Sequence, residues 1–488
     1  AFFAAQVVKS TASLKEKQET VDPPEALKCI PALALSDIPK EAKSLPSEAT
    51  ESQGATLLTH ELFTNDVLYI EAAFDMRPVP QELLPLVPLF CRCLTSMGTK
   101  QGSFVDLTQR IGQKTGGVAA YPFTSDVRGQ EAPCAYVMIK GKTMADKADD
   151  LLEIMREVLL DVAFDDQARF KQMVLETKAG MEARVVGSGH SVAAARLDGM
   201  NSIAGYVGEQ MGGLSYLQYV RSLAEKVDED WDGVLAGLEG IRSALLSRDG
   251  CIINLTGDDK TLSAAQSPID GFLGALPAKG GLIQTWDTKL VRANEGLVVP
   301  TQVNYVGKAA NLYESGYELT GSAYVISKML GTTWLWDRVR VSGGAYGGFC
   351  DFDSHSGMFT YLSYRDPNLM GTLDNYDGTV EFLRKLEMDE DSLSKAIIGC
   401  IGDIDSYQLP DAKGYTSFMR HLLKVKDEER QQRRDEILST TVKDFHEFAD
   451  ALEAVRGPNA NIVAVASADA VAAANEKSPD LLKIVKVL

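Results

Sequence analysis

The feature that most limits what this chain can fold into is an internal duplication, visible as motifs that recur in the same order. A strand pattern from Val67 to Phe74 is followed by a helical apolar run from Leu83 to Leu94. The same succession returns as Thr301 to Val306, predicted as a strand, and Ala323 to Leu335, predicted as a helix with one apolar face. Met97-Gly98-Thr99 parallels Leu330-Gly331-Thr332, and Arg110 before Thr115-Gly116-Gly117 parallels Arg340 before Ser342-Gly343-Gly344. Phe164-Asp165-Asp166 with Lys171 matches Met388-Asp389-Glu390 with Lys395, an offset of 395 minus 171, or 224, and each Asp suits a helix N-cap. Two late strands, Cys251 to Leu255 and Asn461 to Ala464, each follow a long helical stretch, Asp228 to Leu246 and Thr441 to Val455. The expected fold is therefore α+β, built as two units of similar plan. A length of 488 residues agrees, since it exceeds the roughly 100 to 200 residues typical of one domain.

Ahead of the duplication, Pro23, Pro24, Pro31, Pro39 and Pro46 prevent a long helix or central strand through Asp22 to Ser47, which reads as an extended linker. Leu14 to Thr20 reads as the tail of a helix. The chain lacks an initiator Met, so it is expected to be a piece of a longer protein. Its apolar start, Ala1 to Val8, is far shorter than the roughly 20 residues of a membrane span and lacks the basic start of a signal peptide.

A net charge of -19 argues against a nucleic-acid partner, because phosphate contacts need a basic face. It leaves two readings open, attraction of cationic peptides or simple solubility. The seven cysteines are scattered without CxxC pairs, so reduced core thiols are expected, and Cys91 and Cys93 on a helix point away from each other.

Several chemistries are absent. No two of His60, His190, His355, His421 and His446 stand four apart, so neither HExxH nor its inversion exists here. Gly187-Ser-Gly-His190 lacks the first glycine of a nucleophile elbow and reads as a helix interruption. Asn254-Leu-Thr256 is a glycosylation sequon set in an apolar strand pattern, which points to burial. Asp351, Asp353 and His355 alternate within CDFDSHS and, on a strand, would share one face, either to hold a metal or to line a polar surface.

The most unusual stretch is Trp334 to Phe349, where a helical run with Arg338 and Arg340 meets Gly343-Gly344 and Gly347-Gly348 around Tyr346. Such glycines permit positive φ and close backbone approach, to a neighbouring strand or to a bound peptide. Leu335 to Tyr364, the following Arg365-Asp-Pro-Asn368, Gln408 to Gly414 and Pro24 to Leu27 closely resemble the C-terminal half of plant and algal presequence proteases, zinc peptidases of the pitrilysin superfamily. The resemblance runs the whole chain.

It implies two homologous pitrilysin-type α/β-sandwich domains in tandem, half of a four-domain clamshell joined by a helical hairpin. The divisions expected are 1–55 for the end of the hairpin and linker, 56–285 for the first domain and 286–488 for the second, which holds RVSGGAY. It further implies zinc in the full-length enzyme with its ligands in a missing N-terminal half, no metal in this chain, and inactivity of this half alone. Arg340 and Tyr346 match the family's catalytic Arg and Tyr, and Gly343 and Gly344 are expected to bind substrate beside them. A Tyr hydroxyl can donate to a developing oxyanion, and an Arg fork can grip backbone carbonyls. Arg110 and Tyr121 in the first unit are spaced differently, so that copy is expected to be structural. The implied partners are the N-terminal half and short unstructured cationic peptides such as presequences, with no membrane insertion. The implied location is the mitochondrial matrix or chloroplast stroma. The alternative is a non-catalytic peptide-binding or scaffold protein of the same domain type.

Overall fold

The computed structural model describes residues 2–27, 29, 31 and 33–488. Lys28, Ile30 and Ala32, within the expected linker, and Ala1 of the apolar start lie outside the described residues. Contacts separate residues 1–40 from residues 41–488. The first of these holds the helix Phe2–Glu19, which contains most of the predicted Leu14 to Thr20 tail, and the single turn Pro24–Leu27.

Residues 41–488 contain two six-stranded sheets. The first comprises β1 (Glu48–Ser52), β2 (Ala55–Glu61), β3 (Val67–Asp75), β4 (Val118–Ser125), β5 (Cys134–Met144) and β6 (Ile252–Gly257) in the order β1-β2-β6-β3-β5-β4. The second comprises β7 (Glu295–Val298), β8 (Tyr305–Asn311), β9 (Gly347–Phe352), β10 (Met358–Tyr364), β11 (Asn461–Ala466) and β12 (Lys483–Lys486) in the order β12-β7-β11-β8-β10-β9. Five strands of each sheet correspond: β2 and β6 pair in parallel as β7 and β11 do, and the remaining neighbours are antiparallel in both. The sixth strand breaks the symmetry, since β1 joins antiparallel to β2 whereas β12 joins parallel to β7. The duplication read from motif order is thus a duplication of sheet topology.

Local chemistry accounts for the elements and for the departures from expectation. Asp166 and Asp389 cap the helices Gln167–Gly187 and Glu390–Ile404, each accepting from the backbone N–H three residues on. The run expected from Leu83 begins as a 3-10 turn, Gln81–Leu86, because Pro85 cannot continue an α-helical ladder, and the helix proper is Val87–Ser96. Asn304 pairs with Asp366 outside the sheet, so the strand expected at Thr301 to Val306 starts only at Tyr305. The helix expected to reach Leu335 stops at Thr332. Glu48–Ser52 falls on the linker side of the expected boundary at residue 55, yet it is a paired strand, turned back on β2 through Gln53 and Gly54, both with positive φ.

Alternation on β3 divides its side chains between two cores. Leu68, Ile70, Ala72 and Phe74 face the large cluster built with the flanking helices of the first repeat, while Ala73 faces a second cluster. That second cluster is closed by Phe418 and Leu422 of the helix Pro410–Leu422, which belongs to the second repeat. Reciprocally, Val192 and Leu197 of the helix Gly189–Asn201, from the first repeat, pack against Tyr305, Ala309 and Val463 of the second sheet. Each repeat therefore lends one helix to the other's sheet. A fully buried Phe such as Phe418 contributes about 1.5 to 3 kcal/mol to holding that arrangement.

Candidate functional site

The glycine-rich stretch begins where the helix Ser322–Thr332 ends, with a π-helical turn, Trp336–Val341. Ser342 N–H donates to the Asp337 carbonyl, Gly344 N–H to that of Arg340 at 2.9 Å and Ala345 N–H to that of Val339 at 3.1 Å, so the chain reverses within a few residues. Gly343 has a packing reason: a Cβ there would sit 2.5 Å from the Val339 carbonyl oxygen. Gly344 needs its φ of +81°, a value most residues avoid. Tyr346 N–H then donates to the Tyr364 carbonyl at 3.0 Å and leads into β9.

The turn is braced from beneath by residues 365–368. Asn368 Nδ2 donates to the Gly343 carbonyl at 2.6 Å. Asp366, fully buried, accepts from Asn368 N–H at 2.9 Å and Thr372 Oγ1 at 2.6 Å, and burial pushes its carboxyl up against the Thr372 hydrogen bond. Arg365 adopts φ +47°, and its guanidinium lies 5.8 Å from the Tyr346 ring centre and 5.5 Å from that of Tyr364.

On this fixed base the two expected residues stand free. Tyr346 is 65 % exposed, and the Arg340 guanidinium stacks 4.2 Å from the Trp336 ring centre. Neither side chain has a hydrogen-bond or ion-pair partner among the described residues. Trp336, Val341 and Phe349 are exposed around them. A charged fork and a phenol with open valences, set in an apolar rim, suit recognition of an extended main chain.

Arg365 and His190 are the neighbours that sequence reasoning did not single out. The helix interruption expected at Gly187 to His190 is present, with one helix ending at Gly187 and the next starting at Gly189. It delivers the His190 ring from the first repeat to 4.9 Å from Tyr364, with Nδ1 left unpartnered. Burial, helped by Arg184, lowers the pKa of this imidazole. Only the positive φ of Arg365 and the helix exchange bring these groups to the turn, and neither is written in a local pattern.

The acidic strand departs from its expected alternation. β9 ends at Phe352, and Asp353 instead closes a turn, accepting from His355 N–H at 3.0 Å and Ser356 N–H at 3.2 Å. Asp126, Asp198, Asp351 and Asp353 line one cavity of about 550 Å³ between the repeats. Burial, then the neighbouring carboxylates, push the Asp198 carboxyl up to about 7. Asn254 of the sequon is fully buried and bonded to Glu71 and His60, as an apolar strand setting requires.

The residues present do not fit a catalytic zinc. His60 is engaged by the Pro46 carbonyl and Asn254 Oδ1, His446 by the Leu386 carbonyl, and no three His, Cys, Asp or Glu side chains among the described residues are arranged to hold a metal ion. The described cysteines are all free thiols. No described helix is long and apolar enough to cross a membrane.

Comparison with known proteins gives a consistent picture. Residues 294–468 match the family model of the PreP C-terminal domain, and residues 4–223 match the model of the segment associated with subfamily C of the M16 peptidases. The chain is 57% identical to presequence protease 1, chloroplastic/mitochondrial, of Arabidopsis thaliana over 99% of its own length and 45% of that protein. It is 29% identical to protein HypA of Clostridium perfringens over 92% of the chain and 46% of that protein. The chain thus spans about half the length of the curated relatives it matches. Among solved structures, the peptidase M16 inactive domain of Pseudomonas fluorescens superposes with a TM-score of 0.64 at 17% identity, over 87% of this chain and 98% of that one.

Proposed function

From the premise that this chain belongs to the presequence-protease family of M16 peptidases, we propose that it is the C-terminal, non-zinc half of an organellar metalloendopeptidase. In this reading the full-length enzyme carries zinc on ligands in its N-terminal half, and the chain alone is inactive. The substrates are cleaved targeting presequences and other short unstructured peptides, in the mitochondrial matrix or chloroplast stroma. We divide the chain into two pitrilysin-like domains at 285/286, within the stretch between the helix ending at Ala275 and β7 beginning at Glu295, with the linker ending before Glu48.

The observation that carries the reading is the pair Arg340 and Tyr346, exposed and without hydrogen-bond or ion-pair partners among the described residues, on a turn braced by Asn368. Arg340 grips a substrate carbonyl through its fork of donors and so fixes the peptide's position. Tyr346 donates its hydroxyl hydrogen bond to the oxygen on which negative charge develops. Gly343 and Gly344 leave a substrate main chain room to pass beside them, a role compatible with the packing constraint on Gly343. Cationic presequences are drawn in by the net charge of -19 and by the carboxylates of the cavity between the repeats.

A second reading, a peptide-binding scaffold without catalysis, draws support from the lack of a metal-holding cluster among the described residues. One experiment separates them. In the full-length protein, Arg340→Ala is expected to raise KM and lower kcat/KM, and Tyr346→Phe to lower kcat, both with unchanged thermal stability. Unchanged peptide turnover in both variants leaves only the scaffold.

A further inference from the structure

In a chain with a net charge of -19, one cavity has the opposite sign. It measures about 590 Å³ and is lined by eight Lys and Arg side chains against two carboxylates, Asp405 and Glu429. It draws on the tract beginning Gln408, the part of the family-like sequence that the peptidase reading leaves without a role.

The partners of its arginines can be followed one at a time. Arg434, buried, makes a two-pronged pair with Asp405, both contacts at 2.9 Å. Arg128 pairs with Glu429 at 2.7 Å, Arg430 with Asp427 at 2.7 Å, and Arg433 with Glu436 at 2.7 Å. Both carboxylates that line the cavity are thereby paired. Arg420, half-buried near the end of the helix Pro410–Leu422, has no side-chain partner among the described residues. Burial, reinforced by Arg430, pushes its guanidinium down to about 10, and Asp427 only partly offsets this. Two residues that line the same cavity each carry a buried nitrogen without a partner, Arg433 Nε and His355 Nδ1. A desolvated guanidinium and two orphaned nitrogens are unfavourable unless something supplies acceptors.

We propose that this cavity is a binding site for a small multivalent oxyanion of the phosphoryl class. A phosphoryl group offers three acceptor oxygens and takes paired N–H bonds from an arginine fork. It would satisfy Arg420 without displacing the four existing ion pairs. Tyr324 and Tyr407 at the same cavity leave room for an organic portion beside the anion. The site is independent of Arg340 and Tyr346, so it stands or falls apart from the peptidase reading.

The test uses the full-length protein with inorganic pyrophosphate as probe, titrated calorimetrically at constant ionic strength, with citrate as a carboxylate comparator. Saturable pyrophosphate binding is expected, weakened at least tenfold in Arg420→Gln, less in Arg420→Lys, and unaltered in Arg384→Gln, a surface arginine paired with Asp450 and Glu453. Without ligand, Arg420→Gln is expected to melt at or above the parent temperature, because it removes an uncompensated charge, whereas a merely structural arginine would lower it. Absence of saturable binding, equal weakening by Arg384→Gln, or tighter binding of citrate would each overturn the proposal. If Arg420→Gln misfolds, Arg420→Lys carries the test, and unchanged affinity there and in Arg433→Lys has the same force.

Discussion

The two repeats hold the same Arg before the same small-Gly-Gly turn and use it in opposite ways. In the first, Arg110 Nη2 lies 2.5 Å from Glu157 Oε2, a carboxylate with no exposure that also accepts from Thr99 Oγ1. In the second, the position 224 residues after Glu157 is Glu381, which pairs with Arg384 and leaves Arg340 unmatched. The path to the turn differs as well. The first repeat inserts the helix Phe104–Lys114, capped by Ser103, where the second has only the π-helical turn Trp336–Val341. Shortening that path and turning the carboxylate away exposes the guanidinium. The duplication thus leaves one copy of this Arg paired to a buried carboxylate and the other without one.

The sharpest way to break this contrast is to compare tyrosines. Tyr121 of the first repeat is half-buried, its hydroxyl 3.4 Å from that of Tyr415, whereas Tyr346 is open. On the proposed role of Tyr346, Tyr346→Phe in the full-length protein is expected to lower kcat by about 10² to 10³, the usual effect of removing one oxyanion donor. Tyr121→Phe should leave kcat within about twofold of the parent, as expected of a side chain making no transition-state contact. Comparable losses in steady-state peptide turnover would end the division of labour.

Next in size is the reverse contrast, read by stability. Arg110→Ala strands the Glu157 carboxylate. It is expected to cost about 2 to 4 kcal/mol, toward the lower side for a buried pair because the guanidinium is partly exposed. Arg340→Ala should leave the urea midpoint unchanged, since nothing is left unpaired. A destabilised Arg340→Ala would mean that the second copy is structural too.

Motif order made the duplication legible because each repeat keeps its strand, helix and capping residues in register, down to Asp166 and Asp389. The exchange of helices between sheets was not legible. An apolar stripe such as Phe418 and Leu422 fits either sheet, and only the three-dimensional path decides which one it covers. At the site, Arg340 and Tyr346 came from resemblance, and the glycines left packing and binding open. The structure supplies the packing half of that answer at Gly343. Arg365 stayed hidden because a positive φ at a non-glycine residue has no sequence signature. Asp353 misled for a related reason: a turn-closing Asp and a strand Asp look alike in an alternating run.

Buried charge sharpens the comparison further. In the second sheet Lys308 finds Asp377 at 2.5 Å, whereas in the first Glu71 has, among the described residues, only the Asn254 amide, at 2.8 Å, as a hydrogen-bond donor. Burial pushes the Glu71 carboxyl up to about 7, against the pull of Asn254 and Lys140. The folded state therefore keeps a proton that the unfolded chain has lost above the ordinary carboxyl range. Stability is fully present below about pH 4.5 and falls as pH rises through about 7, by about 2 to 3 kcal/mol. Asp198, pushed to about 7 as well, acts with the same sign. Urea midpoints at about pH 5 and about pH 8 should show the combined slope of the two carboxyls, and Glu71→Gln should remove about half of it. A slope untouched by both Glu71→Gln and Asp198→Asn would place the charge elsewhere.

The smallest expected effect tests the exchange of helices itself. Each lent helix meets its host sheet at a glycine. A Cβ on Gly414 would overlap Thr256 Oγ1, and one on Gly189 would overlap the Tyr305 ring. Thr256 is wholly buried on β6 with its hydroxyl unpartnered, so it cannot swing into solvent to make room. Gly414→Ala is expected to cost about 1 to 3 kcal/mol, the usual range for overpacking. Thr256→Ala removes the clashing atom and should recover most of that loss, giving a favourable coupling in a double-mutant cycle. Gly189→Ala should behave differently, because Tyr305→Phe keeps the clashing ring in place and gives up the hydroxyl with its 2.7 Å bond to the Val186 carbonyl, so no rescue follows. A neutral Gly414→Ala would mean that the helix Pro410–Leu422 rests on the first sheet loosely enough to shift. The two repeats would then be held together mainly from one side, by Gly189–Asn201 on the second sheet.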